Sequence, residues 1–149
     1  SVLPDARAYD VRILATDINP LVLETGRKAT YPAEEVVSVP ADMRKSWMEP
    51  TGTGTLRLDE APRGLVSFRP LNLIGSWPMK GPFDAVFCRN VVIYFDEKTQ
   101  MRLLTRFSGL LRPGGYLYLG HSERMVGPAE ALFRLDGTTT YRKLGGDSP

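Results

Sequence analysis

Residues 83–96 read FDAVFCRNVVIYFD. Phe83 to Cys88 is a short run rich in β-formers, and it stops on a guanidinium and an amide, Arg89 and Asn90. Apolar residues return at Val91, Val92 and Ile93, followed by Tyr94 and Phe95, and Asp96 then opens a stretch with helical spacing. A strand feeding a helix in this way is the repeating unit of an α/β sheet. The interruption is the informative part. A buried Arg costs several kcal/mol unless it is paired, by the approximate desolvation argument, so the reading predicts a partner waiting for Arg89.

Downstream, DEKTQMRLLTRFSGLLRPGG (96–115) carries the clearest helix. Asp96 suits the N-cap. Leu103, Leu104, Phe107, Leu110 and Leu111 make one apolar stripe. Pro113, Gly114 and Gly115 end it. YLYLGH (116–121) reads as a second buried strand, and LFRLDGTTTYRKL (132–144) as a hairpin turning at Asp136-Gly137. The closing GGDSP is expected to fray.

Upstream, VRILATD (11–17) reads as a buried parallel strand ending in an acid. Asn19 and Pro20 suit the N-cap and first position of the next helix, with Leu21, Val22 and Leu23 supplying its buried face. TYPAEEVVSVP and ADMRKSWMEP read as short helical pieces broken at Pro32, Pro40 and Pro50. LRLDE (56–60) and LVSFR (65–69), joined by APRG (61–64), read as an antiparallel pair. They define a small β excursion at about 51–70 from a larger α/β body.

The chain has 149 residues, which suits one domain, and 42% of them are hydrophobic, enough for a core. A net charge of +2 gives no field of the kind that holds nucleic acid or an anionic membrane. Cys88 and His121 are the only residues of their types, so neither an internal disulfide nor a cysteine or multi-histidine metal centre is expected. No apolar stretch reaches membrane-spanning length, and SVLPDARAYD has no signal-peptide pattern. A reducing, cytoplasmic setting fits these features.

In open α/β sheets ligands bind beyond the carboxyl ends of the strands. Asp17, Asn72 and the Arg89–Asn90 pair all fall at such ends. A carboxylate there can accept hydrogen bonds from two ribose hydroxyls; alternatively Asp17 starts a turn or caps the next helix. His121 reads as a structural hydrogen bonder, Cys88 as a small buried residue, Trp47 and Trp77 as packing, and Lys98, Arg102 and Arg106 as a solvated helix face.

ATDIN, the P-LNL segment, GPFDAVFCRNVVIYFD, LLRPGGYLYLGHSE and F-RLDGTTTYRK together resemble the C-terminal domain of chemotaxis receptor methyltransferases of the CheR type, from about Val11 to Lys143. That resemblance implies a class I, Rossmann-like fold using S-adenosyl-L-methionine and releasing S-adenosyl-L-homocysteine. Its substrates would be glutamate side chains on the cytoplasmic domains of bacterial chemoreceptors. It implies Asp17 on the ribose hydroxyls, Asn72 and Leu73 on the adenine edge, Asn90 near the methionine part, and Arg89 and Tyr94 at the reactive centre. It also implies a β-subdomain, which in some members takes a receptor C-terminal peptide on an exposed strand edge. The same chemistry explains the guanidinium: the acceptor carboxylate is already ionised at neutral pH, so no general base is needed, and Arg89 can hold it as a planar fork.

Two family features lie outside these residues: the N-terminal helical domain, and the first strand with its glycine loop of the form G-x-S-x-G-E-E-P. The expectation is therefore an N-terminally truncated, partial methyltransferase domain over 1–149, entering at the tail of the first helix. The strands ending at Asp17 and at Cys88 would then each carry an unpaired edge. Direct pairing of the two, a separate fragment, or a homodimer through strand exchange or edge pairing would relieve it. Weak cofactor binding by the chain on its own follows. The competing reading is a non-catalytic module that binds a receptor or another partner; a nucleotide-binding reductase is disfavoured because no G-x-G-x-x-G occurs.

Overall fold

The computed structural model describes residues 6–145 and divides into two units, residues 1–72 and 73–149. The expectations for the first five residues and for residues 146–149 of the closing GGDSP lie outside the described residues.

In the first unit, β1 (Ile13–Asp17) leads through Asn19 into α1 (Pro20–Lys28). The Asn19 side chain accepts the N–H of Leu21 at 2.9 Å, and Pro20 takes the first position, where its missing N–H costs nothing. Ala29 closes α1 in the left-handed region, with φ 51°. Of the expected apolar face only Leu23 is buried; Leu21 and Val22 are exposed. The strands β2 (Thr30–Pro32), β3 (Met48–Pro50) and β4 (Thr55–Leu58) form an antiparallel sheet with β4 central. Between β2 and β3 lies α2 (Ala41–Trp47), anchored by Arg44, whose Nη1 donates to the carbonyls of Val36, Val37 and Val39. A single helical turn, α3 (Glu60–Arg63), follows β4 and delivers the chain to β5 (Val66–Pro70).

This corrects the reading of a hairpin between 56–60 and 65–69. β5 pairs with β1, in parallel, from Ile13↔Val66 to Asp17↔Pro70. The antiparallel strands run instead from Thr30 to Leu58. Glu60 to Arg63 form a helical turn where the hairpin connection was expected, and three-residue strands flanking Pro32 and Pro50 are too short for periodicity to reveal.

The second unit holds β6 (Phe83–Cys88), α4 (Glu97–Leu110), β7 (Leu111–Leu119), β8 (Phe133–Gly137) and β9 (Thr140–Lys143). Its sheet runs β6-β7-β9-β8, with β6 and β7 parallel and the rest antiparallel. The helix is capped by Asp96, which accepts from the N–H of Thr99 at 2.9 Å, and its stripe of Leu103, Leu104, Phe107 and Leu110 is buried as read. The core joins Leu103, Leu104 and Phe107 to Leu117, Leu119, Val92, Cys88, Ala129 and Phe133. Each fully buried leucine contributes about 1.5–3 kcal/mol. Lys143 Nζ donates to the carbonyls of Ser108 and Leu111, both at 2.7 Å, and so binds the last strand to the end of α4. The hairpin is present, but its two-residue turn is Thr138-Thr139, with Gly137 paired to Thr140 and a register shift between Leu135 and Gly137.

Among the described residues β5 is the one strand partner of β1, and β7 that of β6. Both free edges therefore exist as expected, and direct pairing of the two strands is not formed. Ile13 and Leu14 are 48% and 37% exposed, and Phe87 is 71% exposed.

Candidate functional site

The first unit brings Asp17 and Asn72 to adjoining strand ends. Asp17 is the last residue of β1, opposite Pro70 at the end of β5, and its carbonyl accepts the N–H of Leu71 at 3.0 Å. Asn72 follows, exposed. Asp17 Oδ1 accepts from the backbone N–H of Asn19 at 2.8 Å, which starts the turn into α1. The turn role read from the sequence is thus real, and it occupies one carboxylate oxygen while leaving the other for further donors. A half-buried carboxylate and an amide at neighbouring carboxyl ends fit the nucleoside part of a nucleotide-type cofactor.

The second unit holds Leu73, Arg89, Asn90 and Tyr94. Leu73 packs against the core, and its carbonyl accepts both Trp77 Nε1 at 3.1 Å and Arg106 Nη1 at 2.9 Å. Arg106 Nη2 also donates to Gly75 O at 2.8 Å, while its guanidinium lies 3.7 Å from the Trp77 ring centroid. Trp77 in turn stacks on Phe107. Arg106 is therefore a clamp on the loop after Asn72, not part of a solvated face. Burial lowers its pKa, with Arg102 adding to the effect.

Arg89 is exposed, so the waiting partner inferred from burial is not required; β6 is open on the side where burial was assumed. Tyr94 is 79% exposed. The segment between them is fixed through its backbone. Asn90 takes the left-handed conformation with φ 58°, and the N–H groups of Asn90, Val91, Val92 and Ile93 converge on one carboxylate, that of Glu123. Asn90 N–H reaches Oε2 at 3.0 Å; Val91, Val92 and Ile93 reach Oε1 at 2.8, 2.6 and 3.3 Å. Gly120 N–H donates to Oε2 from the tip of β7. Consecutive N–H groups around an anion form a nest, and here the anion is the protein's own side chain, 3% exposed. Burial pushes the Glu123 carboxyl upward, but the donors from Gly120, Asn90, Val91 and Val92 outweigh it and hold the group below its ordinary value. A Cβ at Gly120 would stand 2.5 Å from Asn90 Oδ1 and 2.6 Å from Glu123 Oε2, so only glycine leaves room for the nest.

Glu123 and Arg106 are the residues sequence reasoning missed. The signal for the first was a lone acid three residues past a strand-ending glycine; for the second, helical spacing opposite an indole. His121 is exposed and makes no side-chain hydrogen bond among the described residues; its neighbour Glu123 does the structural work instead. Cys88 is buried as read, and burial, reinforced by the charge of Glu123, pushes its thiol up to about 12.

A parallel strand pair in each unit, β1 with β5 and β6 with β7, marks an α/β protein of the Rossmann-like kind. Residues 1–142 match the family model for the CheR methyltransferase, SAM binding domain. The chain belongs to that family. It is 47% identical over 145 residues to a probable chemotaxis protein methyltransferase of Rhizobium etli, covering 95% of this chain and 54% of that one. Chemotaxis protein methyltransferase 2 of Pseudomonas aeruginosa is 45% identical over 135 residues, with 88% and 48% covered. The chemotaxis protein methyltransferase of Escherichia coli is 42% identical over 134 residues, with 87% and 46% covered. The chain spans about half the length of these curated relatives.

Proposed function

We propose that this chain is the cofactor-binding part of a protein-glutamate O-methyltransferase that acts on the cytoplasmic domains of bacterial chemoreceptors. The observation that carries the reading is the family match over residues 1–142, joined to polar groups at the carboxyl ends of β1, β5 and β6. S-adenosyl-L-methionine would supply a methyl group on a positively charged sulphur. Asp17 would accept the ribose hydroxyls through its second oxygen, and Asn72 with Leu73 would read the adenine edge. Asn90 would face the methionine part. The Arg89 fork would grip the acceptor glutamate, which is ionised at neutral pH and needs no base. Tyr94 would offer its hydroxyl to the same carboxylate. The work of such a site is alignment, worth roughly 7–11 kcal/mol when complete.

The partner follows from this reading: a chemoreceptor, met in the cytoplasm. Among the described residues no helix is long and apolar enough to cross a membrane. The antiparallel sheet offers two outer strands, β2 and β3, for a receptor C-terminal peptide. An open groove of about 730 Å³ lies beside it, lined by Arg27, Lys28, Arg57 and Arg63 together with Glu24, with Lys28 paired to Glu24 and Arg57 to Glu49. The free edges of β1 and β6 also suit pairing of two copies by strand exchange, and those edges are the observation behind a second, non-catalytic binding reading.

The test is methyl transfer from labelled S-adenosyl-L-methionine to a purified receptor cytoplasmic fragment by the full-length protein. Arg89→Ala should lower turnover by roughly a hundredfold, the scale of a misaligned reactant, while cofactor affinity changes little. Asp17→Ala should weaken cofactor binding. A full rate for Arg89→Ala would remove the assigned grip, and a wild-type protein that binds the receptor without methylating it would favour the binding module.

A further inference from the structure

Arg89 and Tyr94 share a property that a reactive pair should not have: neither side chain is held by a hydrogen bond to another side chain among the described residues, and Tyr94 is 79% exposed. Their positions must come from the backbone between them. That backbone is not a regular element. It leaves β6 through a left-handed Asn90, passes Val91 at φ −124° and ψ −42°, and makes one 3-10 turn at Val92–Tyr94. Four consecutive N–H groups there would have no partner of their own. All four point to the Glu123 carboxylate, and the fifth donor, Gly120, joins them to the end of β7.

We propose that Glu123 is a positioning residue for the reaction: its carboxylate, buried between the tips of β6 and β7, sets the course of residues 89–94 and through it the placement of Arg89 and Tyr94. The inference rests on the methyltransferase reading given above. Glu123 touches neither the acceptor nor the cofactor in this account, so it acts only through the loop. Three features single it out from an ordinary buried acid. Its ligands are backbone groups of a single loop, together with one from the neighbouring strand tip. The steric room at Gly120 is shaped to it, since a Cβ there would meet both Glu123 and Asn90. Val92, in the middle of the nest, is 1% exposed and seats the loop in the core. One end of the loop is thus locked while the two side chains that flank it stay open to a partner.

The experiment uses the full-length protein, wild type and Glu123→Gln, with amide hydrogen exchange and steady-state methyl transfer measured side by side. In the wild type the amides of Asn90–Ile93 should exchange as slowly as those inside α4; exchange as fast as that of the exposed turn at Thr51–Gly54 overturns the inference without any variant. In Glu123→Gln, exchange at 90–93 should rise at least tenfold while α4 is unchanged. Turnover per folded molecule should fall at least tenfold, and the KM for the cofactor, whose methionine part Asn90 would face, should rise with it. A merely structural residue would lower the folded fraction and leave turnover per folded molecule intact, and that result overturns the proposal. If Glu123→Gln does not fold, Glu123→Asp, which keeps the charge but shortens the reach, takes its place with the same expected split. If the wild type methylates nothing while the loop still loosens on substitution, the functional reading fails and the anchoring of the loop stands.

Discussion

Gly120 and Glu123 show how narrowly a single position can be determined. Adding one methyl at Gly120 places it within 2.7 Å of the Asn90 nitrogen as well as of two oxygens, and nothing at that position gains from the added carbon. Gly120→Ala is expected to cost about 1–3 kcal/mol, the usual range for overpacking, read as a lower denaturation midpoint with unchanged slope. The acid itself carries a pH signature. Its folded pKa lies below the unfolded value of about 4.3, so the unfolded chain takes up the proton first. The stabilisation is full above that value and is lost as pH falls through the folded pKa. Acid unfolding should begin below about pH 4, and Glu123→Gln should flatten that limb. Cys88 runs the other way: its raised pKa of about 12 keeps it a thiol, and iodoacetamide should modify it at neutral pH only as fast as the protein unfolds.

Among the elements, the loop after Asn72 depends on a contact reaching from α4. Arg106 spans two carbonyls with one planar fork and stacks on Trp77, a pairing a lysine cannot copy. Arg106→Lys should cost about 1–2 kcal/mol, from one charged hydrogen bond and the lost stacking, measured by thermal unfolding. The legibility of the chain also divides at this scale. α1 and α4 were readable because their caps and apolar stripe are local: Asn19, Pro20 and Asp96 act within three residues of themselves. β1, β6 and the second half of β7 were readable as strands for the same reason, being β-rich runs, but β7 already begins at Leu111, inside the stretch read as the helix end, and β1, read as buried, leaves Ile13 and Leu14 exposed. The β2–β4–β3 sheet was not readable. Its partners are separated by α2 and by turns, and its outer strands are three residues long. The candidate site splits likewise. Asp17 and Asn72 at adjoining strand ends followed from the pattern of runs, whereas Glu123, apart from its bond to Gly120, and Arg106 act on backbone groups 30 to 33 residues away, which no spacing rule encodes.

At the scale of the molecule, the two units differ in what they bury. The large cluster belongs to the second, with Leu103, Leu104, Leu117, Leu119 and Val92 almost wholly enclosed. The first has Leu23, Ala29, Val36 and Leu71, and leaves Ile13, Leu14, Ile18, Leu21 and Val22 in water. Stability is carried by enclosed apolar area, so amide exchange should be slowest in α4 and β7 and markedly faster through β1 and α1. Equal protection in both would contradict this account of where the fold is held. The attachment of Lys143 to the carbonyls of Ser108 and Leu111 has a further effect. A cation at the end of a helix is favoured by the aligned peptide dipoles, and here it arrives from the final strand, which makes the hairpin a latch on the helix. Acetylating that amine would erase the charge, so the β8–β9 hairpin would be released first, and a protease would find its earliest cut there rather than in β6 or α4.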